Sequence, residues 1–297
     1  MILGHERQWE YLKKVHEQKS FAHAYLFFGP QHVGKRTIAK EWAKLFFSVE
    51  AKEGIDAGTN PDVIFFSKEN ALVPTETESS ISIDSIRELK RLCSLGSYSG
   101  GMRFVIVDGA EDMRIEAQNS FLKLLEEPPK NTIIILISAD AEMLLPTVRS
   151  RSIPVEFGFV AESEIKKYLN KQALASSIDD IVEIALGRPG VAVRLSEDQK
   201  ILKESLKKYA SQKSILNSDL ARQFRLSQDL ARDEHGADEI LFLMLKDIEK
   251  NITSGGGNLS LTDAAKRILM AREAMKRTPI NKRLLLDTAF LAYADRR

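Results

Sequence analysis

The chain of 297 residues contains a single cysteine, Cys93. That excludes an internal disulfide and any cysteine-based zinc site, so no zinc is expected. Cys93 falls in step with Ile86, Leu89 and Leu92 at helical spacing, which reads as a small buried side chain rather than a reactive thiol. No apolar run approaches the roughly 20 residues of a membrane span, so no membrane contact is expected. Met1-Ile2-Leu3-Gly4 gives way at once to charged residues, unlike a signal peptide, and a cytoplasmic location is expected. An excess of one charge is missing too. Lys and Arg number 43 against 42 Asp and Glu, a formal net charge of +1. That argues against a protein that coats nucleic acid, though local basic patches are compatible with it. The five histidines show no metal-ligand spacing. His23, ahead of the first apolar run, is assigned to packing or the surface. No Ser-His-Asp or Cys-His arrangement, internal repeat or long low-complexity tract is present.

What remains is an ordinary globular composition, 43% hydrophobic and 29% charged, long enough for two or three domains. Its organising stretch is Gly29-Pro-Gln-His-Val-Gly-Lys35-Arg36-Thr37. The apolar run Tyr25-Leu26-Phe27-Phe28 precedes it, and a helical pattern follows. Strand, glycine loop and helix form the setting of a phosphate-binding loop. Gly29 and Gly34 let the backbone wrap a phosphate, and the helix start offers free N–H groups. Lys35 would reach the terminal phosphates. The full pattern then needs a hydroxyl to hold magnesium. Arg36 stands there instead, a cation with no acceptor. Thr37 comes one residue late and points about 100° round the helix. The loop therefore indicates nucleotide-binding ancestry without the metal ligand.

To about residue 158 strands and helices alternate. Helices are predicted at 6–17, 35–47, 85–95 (with Asp84 as N-cap) and 114–126, the last stopped by Pro128-Pro129. Strands are predicted at 25–28, 63–66, 103–108 and 132–138. Glu50 to Asn60 and Ser67 to Ser80 read as polar connections, and Gly96 to Gly101 as a turn. Apolar runs separated by helices indicate a parallel sheet covered on both faces, with ligands at the carboxyl ends of its strands. The glycine loop, Asp108 and Ser138 all stand at such ends. From Ala161 the chain reads as helical: 162–171, 178–186 and about 191–195, then helices throughout from about 200. Thr253 to Asn258 reads as a mobile inter-helix loop.

Asp108 ends a buried run, where a carboxylate orients magnesium through water or simply caps a loop. The next position, where active ATPases of this layout carry an acid that polarises water, is Gly109; Glu111 lies two residues on. Arg149 and Arg151, close to the C-terminal edge of the sheet, read either as solvated side chains or as an arginine finger. Glu126-Glu127-Pro128-Pro129 reads as a helix end with a proline stop, not a catalytic pair.

Several stretches resemble the delta-prime subunits of bacterial DNA polymerase III clamp loaders, within the AAA+ group. They are Phe21-Ala-His-Ala-Tyr-Leu-Phe-Phe-Gly-Pro, Ile81-Ser-Ile-Asp-Ser-Ile-Arg-Glu-Leu and Val105-Ile-Val-Asp-Gly-Ala-Glu-Asp-Met. Gln118-Asn-Ser-Phe-Leu-Lys-Leu-Leu-Glu-Glu-Pro-Pro and Leu145-Pro-Thr-Val-Arg-Ser-Arg-Ser join them, and Asn281-Lys-Arg-Leu-Leu-Leu-Asp resembles the last collar helix. The resemblance implies an α/β AAA+ module: a parallel-sheet P-loop domain (1–158) with a small helical lid (159–205). An all-α collar (206–297) follows and joins a five-subunit ring. It implies that Arg151 is the finger, acting in trans on ATP bound to a neighbouring gamma/tau-type motor subunit. Its other implied partners are the clamp-opening delta subunit, the sliding clamp and the backbone of primer–template DNA. It further implies a rigid subunit of the polymerase III holoenzyme with no ATPase or polymerase activity of its own.

Three departures from active relatives agree with that. Arg36 replaces the magnesium hydroxyl, Gly109 the water-polarising acid, and Gly190 an arginine three residues after the lid glycine Gly187. Others differ from the family itself. Phe47 to Asp62 lacks the four-cysteine zinc module of many relatives. Ser150-Arg151-Ser152 keeps the arginine of a Ser-Arg-Cys motif and loses the thiol, leaving Arg149 as the reserve candidate. No cofactor is required by this reading, and whether Lys35 still holds ATP or ADP without hydrolysis stays open. The rivals are an ATP-hydrolysing motor subunit of the same complex or of a related remodeller and, more distantly, a P-loop kinase.

Overall fold

The computed structural model describes residues 2–68, 80–172, 177–253, 259–277 and 281–295. The chain divides into two compact units, Met1–Glu197 and Asp198–Arg297. The first is a five-stranded, wholly parallel sheet in the order β2-β3-β4-β1-β5, wrapped by helices. Its strands are β1 (Ala24–Phe28), β2 (Val63–Phe66), β3 (Arg103–Asp108), β4 (Thr132–Ser138) and β5 (Ile153–Glu156).

Side-chain alternation sorts the two faces. Tyr25, Phe27, Phe104, Ile106 and Ile135 face α1 (Glu6–Glu17) and α2 (Lys35–Lys44), around the buried Trp42. Leu26, Val105, Val107, Ile134 and Leu136 face α4 (Ile83–Ser94) and α5 (Ile115–Glu126), around Leu89, Cys93 and Phe121. Successive residues point to opposite faces, so a strand covered on both sides must be apolar at every position. β4, buried throughout, satisfies that from Ile133 to Ile137 and carries hydroxyl residues only at its two ends.

Several sequence expectations need correction. The connection after α2 holds a helix, α3 (Val49–Ala57), closed by Gly58 in the left-handed conformation. Only Ile55 of α3 is buried, so it carries little apolar periodicity for a sequence to show. The N-cap of α4 is Ser82, whose side chain accepts from Ser85 N; Asp84 lies in the first turn and pairs with Arg87. α2 ends at Lys44, three residues before the predicted end. The edge strand β5 was not expected; it is short and contains Pro154, which is tolerated only at an edge. The loop expected at Ser67 to Ser80 lies mostly outside the described residues, as does the glycine run after Thr253.

After β5 come α6's successors in a small helical cluster: α7 (Glu162–Gln172), α8 (Ile178–Ala185) and α9 (Pro189–Glu197); α6 itself (Pro146–Arg149) precedes β5. The second unit comprises α10 (Gln199–Leu216), α11 (Leu220–Leu230), α12 (Glu234–Asn251), α13 (Leu259–Arg277) and α14 (Lys282–Ala294). The boundary drawn at 205/206 falls inside the continuous helix α10, whereas the compact units meet at Glu197 and Asp198. Within the second unit Arg272 makes a two-pronged bond to Asp238 (2.6 and 2.8 Å), and Tyr293 Oη donates to Asp247 (2.7 Å). No helix among the described residues is long and apolar enough to cross a membrane.

At the strand starts, buried Asp62 accepts from Tyr98 N, Ser99 N and Ser99 Oγ and lies 3.6 Å from buried Arg103. Burial alone would raise this carboxyl; the bonds from Ser99 and Tyr98 outweigh it and hold its pKa low. Arg103 in turn donates to Leu92 O and caps the end of α4. Removing one partner of a buried pair strands the other charge. Asp62→Ala should therefore lower unfolding free energy in denaturant by about 3 kcal/mol. A loss below about 1 kcal/mol would show that the pair contributes no more than a surface bridge.

Candidate functional site

The parallel register brings Phe28 beside Ser138, and Asp108 beside Ile137, so the glycine loop, Asp108 and Ser138 gather at one edge. Gly29 has φ 133°, and a Cβ there would lie 1.9 Å from the carbonyl oxygen of Phe157. Phe157 N donates to Phe28 O (2.8 Å), so the chain leaving β5 runs directly over this glycine. Gly34 has φ 106° and forms the N-cap of α2, a conformation only glycine adopts easily.

Lys35 is buried, and its Nζ donates to the carbonyls of Gly29 (2.5 Å) and Pro30 (2.6 Å) of its own loop. Burial lowers its pKa to about 8, against the smaller opposing pull of Glu111 and Asp108. Arg36 is exposed and reaches across the edge, Nη1 lying 3.4 Å from Asp108 Oδ2. Its guanidinium also stands over the Phe65 ring, 5.6 Å from the centroid. Thr37 is exposed on α2. Glu111 Oε1 accepts from Ala139 N (2.9 Å), tying the turn after β3 to the end of β4. Ser138 Oγ donates to Asp140 O (2.8 Å) and so closes the turn after β4.

A magnesium ion does not fit this donor set. Its hydroxyl ligand is replaced by a guanidinium, and the carboxylate that would orient its waters is paired to that same guanidinium. An acid at position 109 would have to adopt a left-handed backbone conformation that non-glycine residues rarely take. Gly109 has φ 78°, and a Cβ there would come within 2.7 Å of Asp112 Oδ2. At the third departure, Gly190 N donates to His32 O (2.8 Å). A Cβ at 190 would lie 2.9 Å from that same oxygen. The start of α9 thus docks on the glycine loop itself, through contact an arginine would obstruct. Val160 N donates to Gly187 O (2.8 Å), a second tie between the sheet and this helical cluster.

Arg151 is not where the sequence placed it. It stands two residues before β5, and Ile153 pairs with Tyr25 near the start of β1. Arg151 therefore lies at the edge opposite the glycine loop. Four strand residues separate the level of Tyr25 from Gly29, roughly 13 Å. Half-exposed, its guanidinium forms an ion pair with Glu126 (2.8 Å), and Nη1 donates to Thr147 O (3.1 Å). Arg149 is bound back to Glu142 within its own segment. Buried Gln118 holds that segment to α5: Nε2 donates to Met113 O (3.1 Å) and Met143 O (3.2 Å), and Oε1 accepts from Leu145 N (2.7 Å). Gln118 and Glu126 both belong to the stretch Gln118 to Pro129. Periodicity marks that stretch as a helix but says nothing of what its polar side chains hold. Cys93, buried, has its pKa raised by burial to about 11, that of an unreactive thiol.

A family model described as DNA polymerase III, delta subunit, matches residues 4–160. The chain belongs to this family. It is 28% identical to the DNA polymerase III subunit delta' of Pseudomonas aeruginosa over 92% of each chain. It is 27% identical to subunit delta' of Bacillus subtilis, over 72% of this chain and 65% of that one. With subunit tau of Bacillus subtilis it shares 29% identity, over 57% of this chain and 31% of that one. The delta-prime resemblance drawn from the motifs therefore stands, and with it the α/β AAA+ module followed by a helical domain.

Lys35 gives the loop a measurable signature. Below pH about 8 both folded and unfolded chains hold its proton, and the cost of burying the charge is present in full. Between about 8 and the ordinary lysine value of 10.5 the unfolded chain binds more protons, so stability rises with pH. Relative to Lys35→Met, the wild-type chain should gain up to about 3 kcal/mol across that interval. A difference between the two that does not change with pH would contradict the shifted lysine.

Proposed function

We propose that this chain is a non-motor subunit of the DNA polymerase III clamp loader that presents Arg151 as an arginine finger to ATP held by a neighbouring subunit. The observation that carries this reading is the position of Arg151. It is half-exposed at the edge of the sheet remote from its own glycine loop, so any phosphate it meets must belong to another chain. Its guanidinium would stabilise charge developing on the transferred phosphoryl group, and its always-charged, planar fork suits that task.

The state of the chain's own loop supports the same assignment. Lys35 is engaged by loop carbonyls, Arg36 by Asp108, and position 109 has a left-handed backbone that would strain an acid. A motor subunit would need a free lysine, a magnesium-holding hydroxyl and a water-polarising acid at these positions, and no step of hydrolysis is assigned to this chain. It requires no cofactor of its own in this role. Its partners on this reading are gamma/tau-type motor subunits and a delta subunit, joined through the helical unit from Asp198 onward. The sliding clamp and primer–template DNA complete the assembly, the DNA contacted through its phosphates.

The test is the clamp- and DNA-stimulated ATPase of the reconstituted complex carrying Arg151→Ala, after normal assembly has been verified. Turnover at the affected site should fall about a thousandfold, and Arg151→Lys should not restore it. An unchanged rate in an intact complex would overturn the finger assignment.

A further inference from the structure

α5 ends at Glu126 because Glu127 leaves helical geometry (φ −126°, ψ 67°) and Pro128 and Pro129 cannot continue the helix. The last side chain of α5 is thereby fixed at the edge of the sheet where the chain turns back into β4. Across from it stands Arg151, with Nη2 at 2.8 Å from Glu126 Oε1. The other arm of the same guanidinium, Nη1, donates to Thr147 O in α6. The two arms are thus held by two different elements. Those elements are themselves joined higher up, where Gln118 of α5 binds Met143 O and Leu145 N on the approach to α6.

The contact leaves more of the guanidinium free than a two-pronged pair does. Glu88 grips Arg91 with both carboxylate oxygens, on Nε and Nη2 (2.8 and 2.7 Å), and so occupies the whole fork. Glu126 touches Arg151 at one nitrogen only. Among the described residues Nε of Arg151 has no partner, and each Nη keeps a second hydrogen. The fork is held yet left open for a multi-oxygen anion such as a phosphate. Both side chains are partly solvated, 37% and 48% exposed, and an exposed pair of this kind adds little to folding stability. A long arginine side chain, in contrast, loses much rotamer freedom when it must reach a defined point, and a partner that orders it beforehand removes that cost from the reaction.

We propose that Glu126 is the positioning residue of the Arg151 finger, holding the guanidinium at one arm so that its remaining N–H groups meet a neighbour's nucleotide phosphate already aligned. This inference rests on the reading of Arg151 as the finger. Glu126 does not touch the nucleotide and acts only through Arg151. The second acid, Glu127, is outside the contact, so the two adjacent glutamates divide: one orders the arginine and the other ends the helix.

The experiment is a double-mutant cycle in the reconstituted complex, read by clamp- and DNA-stimulated ATPase, with assembly checked by size. Glu126→Ala should lower kcat roughly tenfold with the KM for ATP unmoved, and Glu126→Gln should fall between it and wild type. In an Arg151→Ala background, Glu126→Ala should change nothing further, because the group it orders is gone. The melting temperature of the isolated Glu126→Ala chain should match that of wild type. If Arg151→Ala abolishes turnover at its site while Glu126→Ala leaves it intact, the positioning role fails and the finger stands. If Glu126→Ala slows the complex equally with and without Arg151, its effect is structural and the proposal is overturned. If Arg151→Ala itself is without effect, the finger reading fails and takes this inference with it.

Discussion

The pairing of β5 along β1 is the constraint on which the rest of the first unit depends. β5 is four residues long and its interior contains a proline, yet it fixes three things at once. Its start sets Arg151 and the end of α5 at one edge of the sheet. Its exit passes over Gly29 so closely that no side chain can stand there. Beyond that exit, Val160 binds Gly187 and carries the chain into the helical cluster. The first glycine of the loop is therefore demanded by a backbone crossing, quite apart from any phosphate. A glycine loop can keep its shape for packing reasons long after the chemistry that shaped it has gone.

That chemistry is dismantled in a self-consistent way. A cation has taken the place of a metal ligand, and the carboxylate that would have served the metal answers the cation. The lysine is turned onto carbonyls of its own loop. Where an arginine is expected on the helical cluster, a glycine allows the helix start to rest on the loop. Each of these groups is engaged in an internal contact. The result is a helical cluster tied to the sheet at His32 and at Val160 by backbone bonds, which no side-chain rotation can release. Arg151, the group to which the proposal assigns activity, lies at the other edge, on a segment bracketed by α5.

Much of this was legible in the sequence, and for identifiable reasons. β3 and β4 carry unbroken apolar runs, Phe104 to Val107 and Ile133 to Ile137, which only a strand covered on both faces requires. The motif from Gly29 to Lys35 declares the strand–loop–helix unit, and Arg36 and Gly109 declare its damage. The failures are equally physical. α3 buries one side chain, so it leaves no periodic trace. β5 is half-exposed, and its proline points away from a strand assignment. The cap of α4 was assigned to Asp84 instead of Ser82, because both are good caps and only geometry separates them. Arg151 was placed at the wrong edge because distance along the chain from Ser138 does not reveal that the segment through α6 crosses the whole sheet. The contact of Glu126 with Arg151 joins residues 25 apart and has no local signal; the glutamates read as a helix end, and one of them is also a partner.

The account holds that this chain takes part in a nucleotide-driven machine without turning over nucleotide itself. The most direct test is magnesium-dependent ATP hydrolysis by the purified full-length chain, set against Lys35→Ala prepared in the same way. The two rates should be indistinguishable. A wild-type rate clearly above that of the variant would mean that the glycine loop still supports hydrolysis despite Arg36 and Gly109, and would contradict the central claim.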